Sequence, residues 1–380
     1  MMSLQLNCQK NLQIFKTEEK MKYLEKLKRD GKLDLYAYTK ACFNGEIPDF
    51  LEKYLTLPMF QTLEGKGQFC GVENTKLFHP RCKYNRLDHS MNCAGIIWRL
   101  TQDKKRTLCA LCHDLSTVSF AHTIDFLLKD TMNQNSAESL IDMKKILQES
   151  VKFQEYLEED GIALEELEDI ITPESDSLVD IERPGLCVDR LEGIISTNYI
   201  WLNICSLDEV RRAVNNLTIC KNNQGKEEIG FKDLDQGKLF FNRILFYAYA
   251  LQSKEDKYSM QFIADLLEIA MKDGLLKIED LYTLEEEQIV VLLKDNYEIW
   301  KEFTSLDKIE SSDLCPNGYY VETGVKKRYA IPLVKIGNKS VRITDIDTEC
   351  NDKLQEFLKF REKKYLFNDK IKMLERRVKC

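Results

Sequence analysis

The chain has 380 residues, is 43% hydrophobic and 31% charged, and holds only 16 glycines and 7 prolines. That length can bury a sizeable core, and that composition excludes a disordered or fibrous chain. A net charge of −8 argues against broad attraction to nucleic acid, which depends on neutralising phosphates, and no run approaches the roughly 20 apolar residues of a membrane span. The 13 cysteines are an odd number without small-scaffold spacing, and the first 20 residues lack the apolar run of a signal peptide. Reduced thiols and a cytoplasmic location are therefore expected.

In chain order, the first 45 residues read as charged helix with an intermittent stripe at Met21, Leu24, Leu27 and Leu33, closing at the Asn44-Gly45 turn. From Ile47 to His89 the periodicity breaks into short helices and loops. Asp88 to Leu100 then carries His89, Cys93, Ile96, Ile97 and Leu100 at i, i+4, i+7, i+8 and i+11, so His89 is expected to face inward. Arg106 to Leu115 follows, with Leu108, Leu111, Cys112 and Leu115 buried and His113-Asp114 near its carboxyl end. Glu155 to Glu182 reads as a mostly solvated acidic insertion. A third helix begins after Pro184, with Cys187, Val188, Leu191, Ile194 and Ile195 inward and Asp189 bordering that face.

Helical periodicity continues over Phe231–Lys254, Tyr258–Leu276 and Leu284–Phe303. Near the end, Tyr329–Lys335 and Ser340–Thr344 flank Gly337-Asn338-Lys339 as a hairpin, and a charged helix from about Thr348 to Arg377 closes the chain. The expected fold class is an all-α helical bundle. Its parts are a lead-in over 1–46, a main domain over 47–305 with the acidic insertion near 151–182, and a small hairpin-plus-helix appendage over 306–380.

All four histidines, His79, His89, His113 and His122, fall within 44 residues. His89, His113, Asp114 and Asp189 supply two imidazoles and two carboxylates, a set suited to a catalytic divalent cation with positions open to water and substrate. Arg86, one turn before His89, and Arg190, next to Asp189, would put positive charge where phosphate oxygens gather it. The bland alternatives are ion pairs of Arg86 with Asp88 or Asp114 and of Arg190 with Glu192. His122 and Asp125, three residues apart, form either an acid/base pair or a brace for the helix after Phe120. His79 stays outside the site, and Cys109-Ala110-Leu111-Cys112 reads as buried free thiols.

At Asn85-Arg86-Leu87-Asp88-His89-Ser90, at Ala110-Leu111-Cys112-His113-Asp114-Leu115 and at Cys187-Val188-Asp189-Arg190-Leu191, the chain resembles the HD superfamily of metal-dependent phosphohydrolases. Its signature is the order H, HD, D. Over roughly residues 47 to 300 the chain is most similar to the deoxynucleoside triphosphate triphosphohydrolase-like branch. Phe60-Gln61-Thr62-Leu63 looks like that branch's f-Q-R-L, Arg86-x-x-His89 like its R-x-x-H, and His113-Asp114 through Phe120-Ala121-His122 and Asp125 like its HD…F-S-H…D.

The resemblance implies an HD-domain bundle and one divalent metal ion (Mn, Mg, Fe, Co, Ni or Zn) on His89, His113, Asp114 and Asp189. It further implies substrate contacts from Gln61, Arg86 and Arg190, and catalysis aided by His122 and Asp125. The reaction would be hydrolysis of a phosphoester or phosphoanhydride in a nucleotide-like small molecule, a deoxynucleotide by the resemblance. Assembly into a homo-oligomer is also implied; nucleic-acid and membrane partners are not expected. Departures stand at Thr117, where the branch often has a second histidine, at Thr62 for arginine and at Gly193 for tyrosine. They leave the phosphate number open and motivate an alternative, a metal-binding nucleotide sensor or scaffold with an HD fold and little turnover.

Overall fold

Every residue from Arg86 to Ile97 of the Arg86–Thr101 helix is buried, and its neighbours wrap around it. The helix starts where it does because Asn85 caps it: the Asn85 side chain accepts from the Asp88 amide (2.8 Å), and the Asp88 carboxylate accepts from the Asn85 amide (3.2 Å). A reciprocal cap of this kind contributes about 1 kcal/mol. Against this helix lie the helices Leu33–Cys42, Pro58–Glu64, Lys104–Cys112 and Val188–Ser196, whose apolar faces form the first hydrophobic cluster. The computed structural model describes residues 23–29, 33–131, 143–171, 176–322 and 324–371.

A second cluster forms around the Lys254–Lys272 helix, which meets Ala121–Leu127. Its centre is aromatic, with Phe262 and Phe303 stacked at 4.2 Å between ring centroids. The periodic runs expected downstream appear as the helices Leu234–Ala250, Lys254–Lys272, Glu286–Asn296 and Glu298–Thr304.

The fold is mostly helical, as expected, but it contains more strand than an all-α bundle. Seven strands are present among the described residues: β1 (Leu217–Lys221), β2 (Glu227–Phe231), β3 (Glu310–Ser312), β4 (Tyr320–Glu322), β5 (Leu333–Ile336), β6 (Lys339–Arg342) and β7 (Tyr365–Phe367). One sheet runs β1-β2-β5-β6 and the other β3-β7-β4. The β5–β6 hairpin is the one the Gly337-Asn338-Lys339 turn announces. It does not hang free, because β5 pairs in parallel with β2, Gly230 opposite Leu333. Gly230 permits this approach, since a Cβ there would come within 2.5 Å of the Leu333 carbonyl oxygen. The expected closing helix is shorter than read: Thr348–Lys359, followed by β7, and its last positions lie outside the described residues.

The acidic stretch forms the helices Val151–Glu159 and Leu164–Ile171, and it is more than a solvated face. Phe153, Leu157 and Leu167 are buried in the first cluster, and Asp176 pairs with Arg106 (2.9 Å). No helix among the described residues is long and apolar enough to cross a membrane.

Candidate metal centre

His89 leaves the Arg86–Thr101 helix fully buried, on the inward stripe its spacing indicates. His113 caps the end of the Lys104–Cys112 helix rather than lying within it, and Asp114 falls in the following turn. The helix stops there because Asp114 and Thr117 bond locally. The Thr117 amide donates to the Asp114 carbonyl and the Thr117 hydroxyl to the Asp114 carboxylate, both at 2.9 Å. Asp189 stands in the first turn of Val188–Ser196.

These three segments bring the four expected donors together. Asp189 Oδ1 is 3.2 Å from His89 Nε2 and 3.7 Å from His113 Nε2. Asp114 Oδ2 is 3.8 Å from each of the same two nitrogens. Donors bonded to one ion at about 2.0–2.2 Å in a tetrahedron stand roughly 3.3–3.6 Å apart, so separations of 3.2 to 3.8 Å are near those a shared cation would need. Asp189 is the open edge, its side chain 45% exposed against 13% for Asp114 and for His113.

Both imidazoles present the correct nitrogen. His113 Nδ1 donates to the Ala110 carbonyl (2.7 Å), leaving Nε2 buried without a hydrogen-bond partner. His89 Nδ1 donates to the Glu192 carboxylate, which can only accept, so Nε2, facing Asp189 Oδ1 at 3.2 Å, is the nitrogen turned toward the centre. A carboxylate behind a ligating histidine fixes its tautomer and raises its basicity. Glu192 is wholly buried and also accepts from Tyr38 (2.6 Å), Tyr84 and Ser196 (3.3 Å). Its position three residues after Asp189, on the same helix face, was the available signal for it.

The buried cluster of His89, Cys93 and His113 could hold a metal ion, with donor atoms within 4.8 Å of one another. The Cys93 sulfur lies 3.7 and 3.9 Å from the two His89 ring nitrogens, beside the ring's flank, and its thiol donates to the Val188 carbonyl (3.8 Å). Burial pushes that thiol well above its ordinary range. The two carboxylates, already ionised, are the better partners for the imidazoles. For Asp114, burial pushes the pKa up, but the Arg86 guanidinium and then His113 and His89 hold it well below the usual carboxylate range.

The remaining expected residues divide. Arg86 is buried and pairs with Asp114 (3.1 Å), one of its two bland alternatives, yet its Nε is buried without a partner. Arg190 meets Asp180 (3.0 Å) and the Gly185 carbonyl (2.8 Å), not Glu192. Gln61 is exposed and donates to the Thr56 carbonyl (3.3 Å). His79 is exposed, and Cys109 and Cys112 are buried free thiols, as expected.

His122 Nδ1 and Asp125 Oδ2 are 3.3 Å apart, and Arg328 reaches His122 Nε2 at 2.8 Å. Burial, with Arg328 next, pushes the His122 pKa down to about 4, so the ring is a neutral hydrogen-bond acceptor. Arg328 lies 206 positions away, and no local pattern could have announced it. Phe120, just before, sits at φ +62°, and its amide donates to Glu286 (3.3 Å), which also accepts from Gly67 (3.1 Å). A buried glutamate thus holds both the strained turn ahead of His122 and the 65–67 loop. The chain matches no model of a known protein family and no curated protein.

Proposed function

We propose that the protein is an HD-type, metal-dependent phosphohydrolase acting on a nucleotide-like small molecule. The observation that carries this reading is the convergence of His89, His113, Asp114 and Asp189, drawn from three separate segments, at separations of 3.2 to 3.8 Å with two buried imidazole nitrogens turned toward two carboxylates. One divalent cation, of the series Mn, Mg, Fe, Co, Ni or Zn, would be held by these four. When bound, it supplies a water of lowered pKa and neutralises phosphate charge.

The other side chains have their own work. Arg86, with its unused Nε, would bind a phosphate oxygen beside Asp114. Glu192 orients His89, and the Ala110 carbonyl orients His113. His122, neutral and backed by Asp125, can accept or return a proton at Nε2 once Arg328 gives up that contact to substrate.

That last contact also favours a second reading, a nucleotide sensor with little turnover, because Arg328 occupies the very nitrogen a proton transfer needs. The deciding experiment is elemental analysis of the purified protein with a phosphate-release screen over nucleoside mono-, di- and triphosphates in several divalent ions. Turnover that disappears in the His113→Ala, Asp114→Ala double variant is the expected result. Thermal stabilisation by a nucleotide without phosphate release would overturn the hydrolase reading in favour of the sensor.

A further inference from the structure

A lysine lies sealed in the wall of this centre. Lys66 sits between Gly65 and Gly67, is 4% exposed, and donates from Nζ to the Thr117 carbonyl at 2.5 Å. Its own carbonyl accepts from the Arg86 amide (2.9 Å), which ties it to the first turn of the His89 helix. Thr117 in turn donates to the Asp114 carboxylate (2.9 Å). Lys66, Thr117, Asp114 and Arg86 therefore form one continuous bonded wall.

The two cations of this wall are not equally served. Arg86 pairs with Asp114 at 3.1 Å and also has Asp189, Glu73 and Glu286 within electrostatic reach. Among the described residues, Lys66 forms no ion pair, and its polar contact is a neutral carbonyl that uses one of three ammonium protons. Arg86 Nε is buried without a partner beside it. Burying an ammonium whose bond is to a neutral carbonyl is costly, and burial does push Lys66 down to about 8, with nearby Asp114 opposing and Arg86 reinforcing the shift. An anion entering here would meet both this ammonium and the unused Arg86 Nε.

We propose that Lys66 is a phosphate ligand, forming with Arg86 a buried anion subsite beside the metal centre. Lys66 supplies a cationic group next to position 117, where the sequence has threonine in place of a second histidine. The ligand class is an oligophosphate, and the assignment deepens the nucleotide phosphohydrolase reading and rests on it for that class.

Isothermal titration of the full chain with inorganic tripolyphosphate in Mn-containing buffer tests it. Lys66→Gln keeps an N–H for the Thr117 carbonyl but removes the charge; it should bind tripolyphosphate at least about tenfold more weakly, with metal content as in the wild type and a thermal midpoint no lower. Lys66→Arg should recover most of the affinity. Wild-type affinity in Lys66→Gln, which a purely structural brace would give, overturns the proposal, as does a wild-type protein that ignores tripolyphosphate. Should the variants not fold, wild-type protein with 15N-labelled lysine side chains gives the answer. The Lys66 Nζ resonance should shift on adding tripolyphosphate, and an unmoved resonance sinks the assignment. Tripolyphosphate binding without phosphate release from any nucleotide would remove the hydrolase reading and leave the subsite standing.

Discussion

Glu192 accepts a hydrogen bond from His89 Nδ1 in a pocket with no access to solvent, and the same carboxylate accepts from the hydroxyls of Tyr38, Tyr84 and Ser196. One buried charge thereby sets the direction of a histidine and joins three elements. Glu192→Ala leaves those donors unpaired and should cost about 3–5 kcal/mol, read from urea unfolding. Glu192→Gln, close in shape, should fold and lose about 10–100-fold in metal affinity by competition with a chromophoric chelator. Unchanged affinity in the Gln variant would mean that His89 needs no carboxylate behind it.

The two overlapping donor sets make opposite predictions. If the carboxylates complete the centre, Asp189→Ala should emerge from purification with little bound metal while Cys93→Ala keeps a full complement; His113→Ala, common to both sets, should lose metal in either case. Elemental analysis of the three variants reads this directly. Metal lost from Cys93→Ala and kept in Asp189→Ala would transfer the site to the thiol.

His122 couples stability to acid. Its folded value of about 4 lies below the ordinary value near 6.5, so as pH falls the unfolded chain takes up the proton first. The stability this represents is fully present above about pH 6.5 and is lost on the way to pH 4, by no more than about 3 kcal/mol. His122→Gln should flatten the unfolding midpoint over that window. In Arg328→Ala, an NMR titration of the His122 ring should move up toward the ordinary histidine range.

Glu73 acts at the alkaline side. Burial, then the neighbouring Glu286, pushes its carboxyl up to about 8, and its Oε2 is buried without a partner. Here the folded state keeps a proton that the unfolded chain has released. The associated stability is whole below about pH 4.5 and declines as pH rises through 8. Glu73→Gln should lose less stability than the wild type between pH 6 and pH 9 in urea titrations; a parallel decline would remove Glu73 from the account.

What the sequence made legible was whatever depends on local spacing. His89 faces inward because it shares a helical stripe with Cys93, Ile96 and Ile97, and Asp189 borders the Leu191 and Ile194 face for the same reason. Partnerships fixed by distant chain stayed hidden. Arg190 has a plausible neighbour in Glu192 by sequence, but the structure gives it Asp180, ten positions back, and frees Glu192 for His89. Lys66 reads as part of a glycine loop until Thr117 is brought over it. The β1–β2 hairpin is weakly patterned. Glu228 within it is completely buried, a placement made tolerable by Arg342 on β6, 114 positions away, and by the Leu186 amide (3.0 Å).

The parallel seam between β2 and β5 bears on how the protein can be handled. A fragment ending near residue 305 would lose the strand that covers β2, strip Arg342 from the buried Glu228 carboxylate, and remove Arg328 from His122. Its exposed strand edge would invite aggregation, and His122 would lose the guanidinium that faces its ring. The carboxyl-terminal fifth is thus built into the body that carries the histidine cluster, and genetic dissection at that boundary should yield insoluble material rather than a smaller folded unit.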